Sequence, residues 1–224
     1  HLEQRTVSLK EVSVLVLDEA DRMLDMGFLP AITRILNHVP KDRQTLLFSA
    51  TYPEGIAKLA AAFMREPREV KLQAPHAANQ IRQIFIEVQE NERLHAVSRV
   101  LNHRRPASTL AFCNTKQQCR DLVQVLRAQG FAALELHGEL EQRDRDQVMV
   151  QFANRSCSVL VATDIAARGL DVAQLEAVIN VDVTPDPDTH IHRIGRTGRA
   201  GAEGWAFSLV SMDEMGSVGK IEQA

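Results

Sequence analysis

An α/β fold of parallel sheets with flanking helices is predicted by three features of this sequence. Short runs rich in Val, Ile and Leu recur along its 224 residues, stretches of helical periodicity separate them, and a 45% hydrophobic composition suffices for one large core or two small ones. Near-continuous apolar strands are those covered on both faces, as in a parallel sheet, and their alternation with helices is the α/β pattern.

The first strand is read at Val12-Ser13-Val14-Leu15-Val16-Leu17 and the second at Thr45-Leu46-Leu47-Phe48. Six more follow, over residues 84–88, 109–113, 133–136, 158–162, 177–181 and 206–210. Helices are expected over 116–129, where Gly130 supplies the stop, and over 141–152. Around residues 73–83 the periodicity lapses, and Pro75 lies in that stretch. It reads as a linker. The expected organisation is a first domain over 1–74, a linker over 75–83 and a second domain over 84–224.

A net charge of −3 gives no general attraction to nucleic acid, so any such function must rest on local basic clusters. No apolar run reaches the roughly 18 residues of a membrane span, so no membrane partner is expected. The N-terminal His1-Leu2-Glu3-Gln4-Arg5 contains no apolar signal core. Cys113, Cys119 and Cys157 are odd in number and lack C-x-x-C spacing, which argues against structural zinc and for a reducing, cytoplasmic setting.

Five segments at predicted strand ends carry chemistry. Asp18-Glu19-Ala20-Asp21 places carboxylates where open α/β sheets bind ligands; one could hold Mg²⁺ through water while its neighbour polarises an attacking water. An acidic helix start, favoured by the helix dipole, explains the same residues. Ser49-Ala50-Thr51 could bond a nearby carboxylate or simply cap the next helix. His137-Gly138-Glu139-Leu140-Glu141-Gln142-Arg143-Asp144-Arg145 reads as a ligand loop or as an exposed helix start with ion pairs. Thr163-Asp164 leads into Arg168, Gly169 and Asp171, a suitable phosphate or ribose contact. In His192-Arg193-Ile194-Gly195-Arg196-Thr197-Gly198-Arg199, arginine recurs at every third residue among glycines. On a helical turn this spacing presents three guanidinium forks on one face to a polyanion. Carboxylate, Mg²⁺ and arginine together are the working parts of phosphoryl transfer.

Taken in order, DEAD (18–21), SAT (49–51), FCNT (112–115), HGELEQRDR (137–145), TDIAARGLD (163–171) and HRIGRTGR (192–199) resemble the DEAD-box RNA helicases over almost the whole chain. FCNTKQQC and HGELEQRDRDQ are most similar to the bacterial DbpA branch of that family. The resemblance implies RecA-like parallel sheets with flanking helices, one domain partial and one complete, with ATP in the cleft and RNA lying across both. Asp18 would hold Mg²⁺ through water and Glu19 would activate the attacking water. Arg196 and Arg199 would reach the γ-phosphate, and Asp171 the ribose. Ser49, Thr51 and Asp21 would couple the acidic motif to closure, with His192 and Arg193 in supporting contacts across the cleft. Arg168 and Gly169 would link the two sites. Thr115, Gly138, Gln142, Arg145 and Thr163 would lie along the RNA backbone. The implied activity is RNA-stimulated ATP hydrolysis coupled to local unwinding of RNA duplexes, in RNA metabolism or ribosome assembly, with ribosomal RNA or assembly proteins as partners.

One departure matters. No G-x-x-x-x-G-K-[ST] loop and no adenine-reading Gln motif occurs in the 224 residues, so the chain is expected to be a fragment, inactive alone. The strand carrying that loop would neighbour the SAT strand, and a third strand at Val70-Lys71-Leu72 would be left with an open edge. The alternatives are a non-enzymatic RNA-binding or regulatory fragment, separated by ATP turnover, and a DNA-translocating helicase, separated by comparing RNA with matched DNA.

Overall fold

Two parallel sheets organise the chain, each in its own unit. The computed structural model describes residues 1–25, 27–50, 52, 54–71, 80–167, 175–198 and 202–223. The chain divides into His1–Gln73 and Ala74–Ala224, one residue before the expected end of the first domain.

In the first unit, Val14–Leu17 (β1) and Gln44–Leu47 (β2) pair in parallel, Val14 opposite Gln44 and Leu17 opposite Leu47. Parallel neighbours require a crossover, which Ala20–Asp25 (α1) and Leu29–Leu36 (α2) supply; Glu54–Phe63 (α3) follows β2. Leu17, Ile32, Leu36 and Leu59 form the core, with Leu15, Met23, Leu47 and Phe63 against it. Val14 and Val16 are about half exposed, at 49% and 53%. The apolar run predicted burial on both faces, whereas β1 alternates, because only its Leu15 and Leu17 face meets this core. The strand expected at 70–72 does not form over Val70 and Lys71, and Val70 is 80% exposed. Neither residue has a ladder partner to hold it; Leu72 lies outside the described residues.

The second unit holds one six-stranded sheet built from Ile81–Glu87 (β3), Thr109–Cys113 (β4), Ala133–Leu136 (β5), Val159–Thr163 (β6), Ala177–Asn180 (β7) and Gly204–Val210 (β8). Its order is β3-β8-β7-β4-β6-β5, with every pairing parallel. The linker expected over 75–83 is shorter at its C-terminal end. Ile81, Arg82 and Gln83 already pair with Gly204, Trp205 and Ala206. Their sequence is too polar to announce a strand, and β8 supplies the partner that makes one; residues 75–79 lie outside the described residues.

Helices Arg93–Arg104 (α4), Lys116–Ala128 (α5), Gln142–Ala153 (α6), Asp164–Ala167 (α7), Pro187–Ile194 (α8) and Met215–Glu222 (α9) complete the unit. The two-residue period sorts the strands between two cores. Ala111, Cys113, Val161 and Ile179 pack with Val97, Leu101, Leu122 and Leu126 of α4 and α5. Leu110, Phe112, Leu160 and Val178 pack with Phe152, Ala166 and Ala167 of α6 and α7. Here the apolar runs are buried on both faces, and each fully buried Leu or Val contributes about 1.5–3 kcal/mol. Asp186 caps α8 by accepting the Thr189 N–H at 2.9 Å, and Pro187 follows at its first turn.

Two glycines are demanded by packing. Gly198 has φ +68°, and a Cβ there would lie 2.6 Å from Ile81 Cγ1; a Cβ on Gly204 would lie 2.5 Å from the Gly198 nitrogen.

His190 of α8 is buried against Phe85, ring centroids 6.0 Å apart, and its Nε2–H donates to Gln83 Oε1 at 3.0 Å. Burial first, and the Arg193 charge second, push its pKa down from 6.5 to about 4. The unfolded chain takes up this proton as pH falls through 6.5, the folded chain only near 4. The stability that the neutral ring contributes is therefore present above pH 6.5 and declines as pH falls towards 4. We expect the urea midpoint, followed through the single tryptophan Trp205, to fall more steeply over that window in the wild type than in His190→Gln. Equal slopes would remove His190 as the cause.

Candidate functional site

In the first unit Asp18 and Glu19 leave the sheet at the carboxyl end of β1, where parallel sheets bind ligands. Three bonds tie this end to the end of β2. The Phe48 N–H donates to the Leu17 carbonyl at 2.8 Å, the Ala20 N–H to the Phe48 carbonyl at 3.0 Å, and the Asp21 N–H to Ser49 Oγ at 3.2 Å. The DEAD and SAT segments thus form one hydrogen-bonded assembly. Asp21 is buried, whereas Asp18 is exposed and accepts the Glu19 N–H on Oδ1 at 2.9 Å. Glu19 has φ +50°, a left-handed conformation that costs a non-glycine residue about 1–3 kcal/mol and that clusters at functional sites. The Asp18 carboxylate suits a hard cation that keeps its own water shell, as Mg²⁺ does. Among the described residues no group of three or more His, Cys, Asp or Glu could enclose a metal.

In the second unit all strands are parallel, so the residues that follow them share one edge of the sheet. Thr115 follows β4 and caps α5, its Oγ1 accepting the Gln118 N–H at 3.1 Å. Its hydroxyl hydrogen remains able to donate. Gly138 follows β5, is exposed, and would carry a Cβ into open space, so internal packing does not demand glycine there. Gln142 and Arg145 lie in the first turn of α6; Gln142 Nε2 donates to Asp146 at 2.8 Å and Arg145 Nη2 to the Ala166 carbonyl at 3.3 Å. Thr163 ends β6, half-buried. The fold brings these five candidate RNA residues to one edge.

The arginine-glycine run departs from its expected form. Arg193 is 2% exposed in α8 and is not presented to a polyanion. All three of its guanidinium nitrogens donate within the second unit. Nε and Nη2 grip Asp164 at 2.8 and 2.7 Å, Nη1 donates to the Asp182 carbonyl at 2.7 Å, and Nη2 also reaches Asn114 Oδ1 at 3.3 Å. The Phe112 ring lies 5.2 Å from its guanidinium carbon. The expected presentation to a polyanion is corrected to internal contacts, because Asp164 and two strand ends meet the guanidinium. The glycines, read as room for a polyanion, answer at Gly198 to Ile81 instead. His192 and Arg196 are half-buried near the end of α8. Thr51, Arg168, Gly169, Asp171 and Arg199 lie outside the described residues.

Several residues of this edge went unassigned from sequence. Asp164 stands inside TDIAARGLD and Asn114 inside FCNT, so the motifs contained them. Asp182 had only a faint signal, an acid directly after an apolar strand, as Asp18 is. Its carboxylate accepts the Asn114 N–H at 2.9 Å and Gln118 Nε2 at 2.8 Å.

Two parallel α/β units carrying these motifs are RecA-like helicase domains. Residues 1–59 match the DEAD/DEAH box helicase family, and residues 92–201 match the helicase conserved C-terminal domain. The chain belongs to the DEAD-box helicase family. It is 49% identical over 214 residues to the ATP-dependent RNA helicase DbpA of Escherichia coli, covering 96% of this chain and 47% of that protein. It is 43% identical to the DEAD-box ATP-dependent RNA helicase CshA of Geobacillus kaustophilus, covering all of this chain and 48% of that protein. The chain therefore spans about half the length of these relatives. Among solved structures, Saccharomyces cerevisiae Dbp5 bound to RNA and ADP BeF3 aligns over 99% of this chain and 59% of its own, with TM-score 0.88 and 29% identity. A DEAD box protein from Methanococcus jannaschii aligns over all of this chain and 60% of its own, with TM-score 0.63 and 40% identity.

Arg193→Ala leaves Asp164 and the Asp182 carbonyl without their partner. Removing the buried member of this half-buried pair should cost up to about 3–5 kcal/mol, and Arg193→Lys should recover only part of that, lacking the fork. Urea unfolding followed through Trp205 measures both; a loss within about 0.5 kcal/mol, typical of surface substitutions, would refute the role.

Proposed function

We propose that this chain supplies part of the ATP- and RNA-binding machinery of an ATP-dependent RNA helicase. The observation that carries the reading is the convergence of Thr115, Gly138, Gln142, Arg145 and Thr163 on one edge of a wholly parallel sheet. Hydroxyls, an amide, an arginine and an open glycine backbone suit phosphates and sugars, which position a protein without reading bases. With aromatics at 4% of the chain, a stacking platform for bases is not the basis of binding.

In this reading Asp18 holds Mg²⁺ through water, and the bound ion would supply charge neutralisation on the nucleotide phosphates. Glu19 orients the attacking water. Ser49 and Thr51 relay the state of the acidic motif through Asp21. Arg196 and Arg199 act on the charge that develops at the γ-phosphate, Asp171 contacts the ribose, and Arg168 and Gly169 link nucleotide and RNA. Arg193 takes a different part, fixing the end of α8 that precedes Arg196. His192 supports the same turn.

The 224 residues contain no phosphate-cradling G-x-x-x-x-G-K-[ST] loop. The chain by itself should therefore turn over no ATP with saturating single-stranded RNA and Mg²⁺. In the full-length protein bearing these residues, Arg196→Ala should lower kcat on the order of 10³-fold while ATP affinity changes far less. Glu19→Gln should stop turnover with RNA binding retained. RNA-stimulated hydrolysis by the 224-residue chain, or equal losses of ATP binding and turnover in Arg196→Ala, would overturn the assignment.

A further inference from the structure

Glu139 lies in the loop after β5, next to Gly138, and its two carboxylate oxygens are held by different cations. Lys116 Nζ bonds Oε1 and Arg120 Nη2 bonds Oε2. Lys116 and Arg120 stand one turn apart at the start of α5, and Lys116 directly follows Thr115. Each end of this trio is thus the chain neighbour of a residue that the proposed function places on RNA. The three side chains are 54%, 36% and 46% exposed for Lys116, Arg120 and Glu139. Exposed ion pairs add little to stability, so the need to hold the fold together does not account for a carboxylate bridging two cations here. The hydrogen bond from Lys116, and then that from Arg120, hold the Glu139 carboxyl down at about 2, so it stays ionised at any pH at which RNA would be bound.

Two oxygens of one anion, each taken by a separate cation, is the arrangement a phosphate group makes with its two non-bridging oxygens. We infer that Lys116 and Arg120 are phosphate contacts of the RNA surface, and that Glu139 occupies the phosphate position until RNA displaces it. The inference rests on the reading of this edge as an RNA surface, and it adds two cations and one competing anion to it. Glu139 sets the affinity and its salt dependence. While Glu139 holds them, the two cations release no counterions on binding. In a chain of net charge −3, their release changes the field on that edge.

The test is fluorescence anisotropy of the 224-residue chain with labelled oligo-U over a series of salt concentrations. Glu139→Gln should bind several-fold more tightly and steepen the slope of log affinity against log salt by up to about 1.4, since each single-strand phosphate contact contributes about 0.7. Adding Lys116→Gln and Arg120→Gln to Glu139→Gln should abolish both gains. The urea midpoint of Glu139→Gln, read through Trp205, should match the wild type. Affinity that is unchanged or weaker in Glu139→Gln, or tighter with no change of slope, overturns the inference and leaves the trio as a brace between α5 and the loop after β5. Arg145→Ala separates this failure from failure of the broader reading. If Arg145→Ala weakens binding while Glu139→Gln changes nothing, the RNA surface stands and the gate falls. If neither substitution matters, both fall.

Discussion

Asp182 is the point on which the strand-end edge of the second unit depends. Its carboxylate fixes the Asn114 N–H and the Gln118 side chain, at 2.9 and 2.8 Å, and so sets the turn that carries Thr115. Its carbonyl receives Arg193 at 2.7 Å, and the carbonyl before it, Val181, receives Arg93 at 2.7 Å. Where a parallel strand ends its ladder also ends, and backbone groups buried there need other partners. Two guanidinium forks, each with five donors, meet that need at neighbouring carbonyls.

Arg93 extends the same solution to the last strand. It is 2% exposed, donates to the Leu209 carbonyl at 3.2 Å, and pairs with Glu90 and Glu214 at 2.6 and 2.7 Å. Burial alone would lower its pKa, but the bonds and charges of Glu90 and Glu214 outweigh that and raise it. Glu214 in turn accepts the Ser211 N–H at 2.9 Å, closing a capping box on the turn after β8. At the ends of β4, β6, β7 and β8, among the described residues, these protein groups supply partners. An edge organised in advance can meet a polyanion without reorganising, which is where fixed dipoles and charges are most effective.

The first unit reaches its site by other means. Its core is small, and its two-stranded sheet buries one face of β1. The acidic motif is placed by backbone bonds between the ends of β1 and β2 and by the Ser49 hydroxyl. That economy explains why DEAD and SAT were both legible as motifs while each alone had an ordinary explanation. By sequence Ser49 reads as a cap for the helix after it or as a partner of a carboxylate; in the structure its hydroxyl accepts the Asp21 N–H at the start of the earlier helix α1.

The sequence by itself determined the α/β class, most of the strands and the motifs that mark the family, because apolar runs and strand-end chemistry are local properties. Strands 109–113 and 133–136 appear with their expected bounds, since a run buried on both faces announces itself. Tertiary structure decided what the motif residues do. Arg193 looked like one of three matching arginines, yet Asp164, 29 residues earlier in the chain, draws it into the interior. Ile81 to Gln83 looked like linker until β8 gave them a ladder. Glu139 lies 23 and 19 residues from Lys116 and Arg120 and meets them only because β4 and β5 deliver α5 and the loop after β5 to the same edge. Side-chain partners of this kind are set by which strand ends become neighbours, and that order is a property of the whole sheet that no local pattern encodes.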